Sequence, residues 1–190
     1  MELKEQIIEA TIEEFNEKGL KFTMDDIAKR LGISKRTVYK VVDDKESLFI
    51  EAVDYGFKAI KESEREIFDD DTLDIVEKIK KILIVLPKKY KTFDFRQLYE
   101  LKYKFPKTYA KIENRLETDW NPTLQLLEQA MEEGRIKKIS LPVFRTMISG
   151  TIEYFISHSI LIDSAITYKE ALEEMIEMIM YGIVAIEVKK

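Results

Sequence analysis

A run of basic and hydroxyl side chains lies between Ser34 and Lys40, where the chain reads Ser-Lys-Arg-Thr-Val-Tyr-Lys. Lysine and arginine neutralise phosphates, and an arginine can also bind the edge of a guanine with two hydrogen bonds. Val38 is the single aliphatic residue of the run, and together with Ile33 it indicates the inward side of a short helix. The run therefore predicts a basic helix that could enter the major groove of duplex DNA.

A second short helix is predicted directly before this run. Thr23 can cap it, with Asp26 three residues later as in a capping box, and the apolar residues of Ile27–Leu31 form its inward side. Gly32 then supplies a turn, and Ser34 can cap the following helix. Two short helices about a tight turn are a helix-turn-helix, whose second helix we expect to contact DNA.

At these positions the chain resembles the TetR family of bacterial transcriptional repressors. The amino-terminal domain of that family has a threonine that opens its second helix, an Ile-Ala pair, a glycine turn, Ser-x-x-Thr-x-Tyr and then Lys-Glu-x-Leu. Two positions depart from the family pattern, because Arg36 stands where glycine is common and Val41-Val42 replace an often aromatic pair. The matching elements in this chain are Thr23, Ile27-Ala28, Gly32, Ser34 to Tyr39, and Lys45 to Leu48.

The resemblance implies an all-α fold of about nine helices. Residues 1–46 would form a three-helix DNA-binding domain, and residues 47–190 a helical regulatory and dimerisation domain. It also implies a repressor that binds a palindromic operator as a homodimer and is released by a small, mostly apolar ligand. A regulator controlled by a protein partner, with no small-molecule ligand, is the alternative. The expected DNA contacts are Thr23, Ser34, Lys35, Arg36, Thr37, Tyr39, Lys40 and Lys45.

The charge of the chain is distributed unevenly, although its net value of −5 is unusual for a DNA-binding protein. From Phe22 to Lys45 six basic residues outweigh four acidic ones, which gives +2 and leaves −7 for the remainder. Only charges that reach phosphates contribute to counterion release, so a locally basic surface on an acidic body is compatible with DNA binding.

Composition indicates a soluble, mostly helical protein. The 190 residues are 45% hydrophobic and 35% charged, and no disulfide can form because there is no cysteine. The first residues lack signal-peptide character, and the apolar stretches are too short to cross a bilayer. We therefore expect a cytoplasmic location and no contact with a membrane.

Periodic apolar residues, glycines and prolines predict the remaining helices. The first runs from Leu3 to Gly19. The later ones are predicted over Asp44–Phe68, Thr72–Pro87, Asp94–Lys104, Pro106–Gly134, Pro142–Ile162 and Tyr168–Val188.

The sequence Trp120-Asn121-Pro122 interrupts the long helix predicted over Pro106–Gly134. A proline inside a helix removes an amide donor and pushes against the carbonyl four residues back, so a bend at Trp120 is expected. Alternatively, Asn121 caps a new helix that has Pro122 in its first turn, which would divide the segment into two helices.

The last two predicted helices are apolar over more of their circumference than one buried face requires. One side could pack on the core of the chain and the other on a second copy, as in a four-helix dimer interface. A thick core within one monomer is the alternative. The predicted interface residues are Phe144, Ile148, Ile152, Phe155, Met175, Ile179, Met180 and Ile183.

Aromatic residues are concentrated between Phe93 and Tyr109 and indicate a small-molecule site. Apolar walls with a few polar ends, such as tyrosine and tryptophan provide, suit such a site, although ordinary core packing would use the same residues. We expect the ligand between the fourth and eighth helices. The predicted pocket residues are Phe95, Tyr99, Tyr103, Leu116, Trp120, Leu124, Met147 and Thr151.

Residues for catalysis are scarce. His158 is the single histidine, and its position on an apolar helix predicts a core or interface role. The sequence has no cysteine nucleophile, no phosphate-binding glycine loop and no histidine cluster for a metal. We therefore expect a regulator and not an enzyme, with no cofactor, whose partners are operator DNA, a second copy and a small effector.

Overall fold

The computed structural model describes residues 2–87, 90, 95–118 and 120–185, except the side chain of Arg96. These residues form an all-helical fold, in which the one β-type contact is an isolated bridge between Ile136 and Val184. Short 3-10 helices cover Gly19–Lys21 and Phe95–Glu100. The α-helices are α1 Leu3–Lys18, α2 Met24–Leu31, α3 Lys35–Val38, α4 Lys45–Phe68, α5 Ile75–Ile84, α6 Leu101–Lys104, α7 Pro106–Glu117, α8 Asn121–Glu132, α9 Leu141–Ser157, α10 Ile160–Asp163 and α11 Tyr168–Ile183.

The amino-terminal unit consists of α1, α2 and α3 packed against the start of α4. Thr23 and Asp26 form the predicted capping box at the start of α2, and Gly32 ends α2 in the left-handed conformation, with φ of 65°. Ile7, Ile27 and Val38 are completely buried between the helices. The predicted helix-turn-helix is therefore confirmed, including its cap and its turn.

An ion-pair cluster joins α1 to α2. Arg30 of α2 donates to three carboxylates of α1, at 2.7 Å from Glu14, 3.0 Å from Glu13 and 2.6 Å from Glu17. Glu14 is only 3% exposed, and Lys18 lies 2.7 Å from its other oxygen. Burial raises the pKa of Glu14, but hydrogen bonds from Lys18 and Arg30 outweigh it and hold the pKa below its ordinary value. The cluster fixes the angle between the first two helices.

The larger part of the chain packs around α4. This 24-residue helix contacts α1 in the amino-terminal unit and α5 and α7 in the remainder, so it is continuous across the predicted boundary at residue 46. Behind it, α5 packs on α8 and α11, and α7 packs on α9. Ile79, Leu127, Ile148 and Met180 are completely buried between these helices.

Two predicted helices are divided in the structure. The Pro106–Gly134 segment forms α7 and α8, as in the alternative prediction, but Trp120 and not Asn121 is the N-cap of α8. The Pro142–Ile162 segment breaks at His158, which is extended with φ of −132° and ψ of 159°. The predicted ends at Asp94 and Val188 lie outside the described residues.

Candidate DNA-binding surface and ligand cavity

The position of α3 is set by one cap and one buried residue. Ser34 Oγ accepts a hydrogen bond from the Thr37 amide at 3.1 Å and lies 2.8 Å from Thr37 Oγ1. Val38 is completely buried on the opposite side. Lys35, Arg36, Tyr39 and Lys40 are consequently exposed on the outer side of α3 and the turn that follows it.

The basic residues of the helix-turn-helix fall into two groups. Lys29 pairs with Asp25 at 2.8 Å, and Arg30 is held by the carboxylates of α1. Lys35, Arg36 and Lys40 form no ion pair with any described residue. The cations that can reach an external anion are therefore concentrated on α3 and its following turn.

Besides Ser34 and Thr37, two further predicted DNA contacts are engaged within the chain. Thr23 Oγ1 donates to Asp26 Oδ2 at 2.7 Å and accepts from the Asp26 amide. Lys45 Nζ donates to the carbonyls of Leu20, at 2.8 Å, and Phe22, and lies 3.9 Å from the centre of the Phe22 ring. Burial lowers the pKa of Lys45. Both side chains thus have structural partners, and their DNA contacts stay predictions.

A cavity of about 220 Å³ lies on the inner side of α4. Its walls come from α1, α4, α5, α7, α8, α9 and α11, and from residues 85, 86, 90, 95, 98 and 101 between α5 and α7. Most of the lining is aliphatic or aromatic, and the charged lining residues are Lys61, Glu64 and Arg115. The contribution of α4 is Phe49, Ala52, Val53, Gly56, Phe57, Ile60, Lys61 and Glu64.

Three of the predicted pocket residues line this cavity, namely Phe95, Leu116 and Trp120. The Phe95 ring stacks on the Tyr168 ring with 4.6 Å between their centres. Trp120 Nε1 donates to the Leu116 carbonyl at 2.8 Å, so the polar group of the indole is satisfied within the chain. The ring itself forms part of the cavity wall. The single tryptophan of the chain therefore borders the cavity.

The other five predicted pocket residues lie off the cavity, which corrects the predicted wall. Tyr103 is 71% exposed, and its ring packs edge-on against Tyr99 with 5.9 Å between centres. Met147 is 51% exposed, and Thr151 donates to the Met147 carbonyl on the same helix. Leu124 follows Thr123, which does line the cavity, and successive helical residues point about 100° apart. Phe93 lies outside the described residues.

Sequence reasoning missed the contribution of α1 to the cavity. Thr11, Ile12 and Phe15 of the amino-terminal unit line one end of it. Their apolar periodicity is the same as that of residues facing α2, so no signal in the sequence distinguishes the two roles.

The structure divides the residues predicted for the dimer interface. Phe144, Ile148, Met175 and Met180 are buried within the single chain, and therefore belong to its own core. The other four, Ile152, Phe155, Ile179 and Ile183, are half-buried and pack against that core. All eight residues lie on the inner sides of α9 and α11, because α9 packs on α7 and α11 packs on α5.

A different set of apolar residues is exposed on the same two helices, and we call it the outer face. Met178 and Tyr181 of α11 are 70% and 84% exposed. Gly150 and Gly182 lie among these residues, and a Cβ added to either would meet nothing within 4 Å. The outer face consists of Val143, Met147, Gly150 and Tyr154 of α9 with Met178, Tyr181 and Gly182 of α11.

Within the described ranges, no helix is both long enough and apolar enough to cross a bilayer. The same residues contain no group of three or more aspartate, glutamate or histidine side chains that could hold a metal ion.

Comparison with known proteins agrees with this geometry. Residues 7–52 match the model of the tetR family of bacterial regulatory proteins, and this range contains α2, α3 and their caps. Along almost the whole chain, the sequence is 29% identical over 185 residues to the uncharacterised HTH-type transcriptional regulator YvaF of Bacillus subtilis (strain 168). The alignment covers 97% of both proteins.

Solved structures share the fold at lower identity. The transcriptional regulator FadR of Bacillus subtilis, in complex with stearoyl-CoA, superposes with a TM-score of 0.65 at 21% identity, over 93% of this chain and 96% of that one. The fatty acid degradation regulator FadR of Bacillus halodurans gives the same TM-score and identity over 93% of both chains. By its capped helices and this match, the helix-turn-helix domain of residues 7–52 belongs to the tetR family of bacterial regulatory proteins, and the chain as a whole is similar to an HTH-type transcriptional regulator.

Proposed function

We propose that the protein is a repressor that binds a palindromic operator as a homodimer and releases it when a mostly apolar ligand fills the cavity. The observation that carries DNA binding is the exposed side of α3, where Lys35, Arg36 and Lys40 form no ion pair with described residues. Arg36 is in the first turn of α3, where helix-turn-helix proteins contact base edges. Since the protein acts on DNA, we also propose a cytoplasmic location.

The homodimer is supported by the outer face of α9 and α11. Exposed apolar side chains grouped along a helix are typical of an interface. Glycine in a helix costs about 1 kcal/mol relative to alanine, and nothing within the chain explains Gly150 or Gly182. Close approach of a second copy would explain both. Two copies could then place their α3 helices in successive major grooves, about 34 to 36 Å apart.

The ligand is supported by the cavity and by one structural neighbour. The walls are mostly apolar, with charged groups confined to Lys61, Glu64 and Arg115. The FadR structure that shares the fold contains stearoyl-CoA. We propose a ligand of the same chemical class, with an apolar tail and a polar head. Because the walls include both α1 and α4, a ligand here would favour one arrangement of the DNA-binding unit over another.

A protein partner in place of a small molecule is the competing function. The outer face of α9 and α11 is the observation that favours it, because an apolar surface could bind a different protein as well as a second copy.

One experiment separates these functions. DNA fragments selected from genomic DNA would provide the operator, and binding would be measured with rising salt and with added stearoyl-CoA. We expect salt-dependent binding to a palindrome and release by the ligand, with quenching of Trp120 emission at the same ligand concentrations. Gly56→Leu, which places a side chain in the cavity, should keep operator binding and lose release. Operator binding that no apolar ligand affects would favour the protein partner.

A further inference from the structure

We infer that the cavity measures the length of its ligand's apolar tail, because one end of the cavity is formed by α1 of the DNA-binding unit. The inference rests on the proposed function, since it assumes a ligand with an apolar tail and a polar head. It goes further by naming the residues that decide which tails release DNA.

The polar end of the cavity lies at the far end of α4. Lys61 Nζ is 2.8 Å from a Glu64 oxygen there. Arg115 of α7 borders the same cavity nearer the middle of α4, where it donates to Asp54 at 2.6 Å. The side chain of Lys61 is about one-third exposed, so the far end reaches solvent. A charged or hydrated head group would keep its solvation and meet polar partners here. The tail of the ligand must then point away from this end.

The opposite end is apolar and belongs to the DNA-binding unit. Ile12 and Phe15 of α1 meet Phe49 of α4 there. Thr11 also lines this end, but its hydroxyl donates to the Ile7 carbonyl at 2.7 Å and its methyl group remains for the wall. Along α4 the lining extends from Phe49 to Glu64, which corresponds to about 22 Å at the rise of an α-helix. Only a long tail can span that distance.

Aromatic contacts connect the apolar end to the helix-turn-helix. The rings of Phe15 and Phe49 meet edge-on with 5.5 Å between centres, and the rings of Phe49 and Phe22 with 5.6 Å. Phe22 directly precedes Thr23, the cap of α2. A tail that reaches Phe15 therefore presses on the contacts that hold α1 and α2 against α4. A shorter tail fills only the part of the cavity near Lys61 and Glu64, and it leaves these aromatic contacts unchanged.

The test compares binding with release for tails of increasing length. Octanoyl-, lauroyl-, palmitoyl- and stearoyl-CoA would be added to the full-length protein on its selected operator, with Trp120 emission reporting binding and fluorescence anisotropy of the DNA reporting release. We expect short tails to quench Trp120 without releasing DNA, and release to begin at a defined tail length. Each ligand would be added until Trp120 emission no longer changes. Differences in ligand affinity then do not affect the comparison of DNA release between tail lengths.

Three variants locate the length-dependent step. Ile12→Ala enlarges the α1 end, so the shortest tail that releases DNA should become longer, and Ile12→Phe should make it shorter. Ile60→Ala removes the same atoms from the cavity wall, but in the carboxyl-terminal half of α4. We expect it to weaken binding of every tail by up to roughly tenfold without changing the shortest releasing tail. Opposite shifts from the two Ile12 variants cannot result from loss of folding.

The possible failures are distinguishable. If no tail quenches Trp120, ligand binding itself is wrong, and the proposed function fails together with the length inference. If every tail that binds also releases DNA, or if Ile12→Ala behaves like Ile60→Ala, the length inference is wrong while ligand-controlled repression stands.

Discussion

At the scale of single residues, Arg36 is the side chain that we expect to read a base. It is exposed in the first turn of α3 and forms no ion pair with described residues. A bidentate contact to guanine contributes about 1–3 kcal/mol of discrimination, so Arg36→Ala should lose that amount on the operator and relax preference at one base pair per half-site. Competition with operators substituted at each position would measure this.

The matched control for Arg36 is Lys29→Ala. Lys29 is also exposed and basic, but it pairs with Asp25 on α2. We expect little change in operator affinity from its removal. Equal weakening of all duplexes by Arg36→Ala would show that Arg36 contacts a phosphate and not a base.

Lys45 has a structural role that leads to a different expectation. Lys45→Met would leave the carbonyls of Leu20 and Phe22 without this donor, which should reduce stability by about 1–3 kcal/mol. DNA affinity should then fall with an unchanged salt dependence. Thermal unfolding and salt titration would measure the two effects.

Lys40→Met provides the comparison for Lys45, because Lys40 is exposed and forms no ion pair with described residues. It should give a shallower salt dependence at constant melting temperature. A shallower salt dependence with unchanged stability in Lys45→Met would instead support the direct phosphate contact that the family resemblance implies.

At the scale of elements, the cluster around Glu14 makes the packing of α1 on α2 sensitive to acid. The pKa of Glu14 in the folded chain is below its ordinary value of 4.5. Its contribution to stability is therefore fully present above about pH 4.5 and is lost as the pH falls through the folded pKa. Glu14→Gln should lower stability at neutral pH by roughly 1–3 kcal/mol, and the difference from wild type should shrink in acid.

Denaturant unfolding across this pH range would measure the difference. Glu173→Gln is the control, because Glu173 forms an exposed pair with Lys169 at 2.8 Å on α11. Such pairs contribute little, so this variant should match wild type at every pH. A stability difference for Glu14→Gln that is constant with pH would mean that the carboxylate charge is not what holds α1 to α2.

Helix ends were predictable where a residue imposes them. Thr23, Asp26 and Gly32 satisfy or terminate the backbone of α2 locally, and the structure confirms all three. Pro122 likewise separates α7 from α8. The break at His158 has no glycine or proline to indicate it. It arises in the tertiary fold, which a local pattern does not contain.

The inward side of a helix was harder to predict than its ends. In α9 both Ile148 and Met147 are apolar, yet Ile148 is completely buried and Met147 is half exposed. Periodicity identifies two apolar sides of such a helix and does not specify which one packs on the same chain. The same ambiguity explains why Thr11 and Phe15 were missed and Tyr99 and Tyr103 were expected in the cavity wall.

At the scale of the whole molecule, α4 connects the helix-turn-helix with the cavity. Its first turn holds the helix-turn-helix through Lys45, and its middle forms one wall of the cavity. The net charge of −5 is no obstacle, because the helix-turn-helix itself exposes Lys35, Arg36 and Lys40, which form no ion pair with described residues. The acidic remainder would favour an orientation in which only α3 faces DNA.

Dimerisation through the outer face gives the last prediction. Met178→Glu with Tyr181→Glu places charges on side chains that are exposed in one chain and would be buried between two copies. We expect a folded protein of wild-type helicity that sediments as a monomer. Its operator binding should be weak, because the two DNA-binding units are no longer linked and each binds its half-site alone. Ile179→Glu with Ile183→Glu is the comparison. Those side chains pack against the core of the chain, so that pair should lower the melting temperature. A Met178 and Tyr181 variant that remains dimeric would place the interface on another surface.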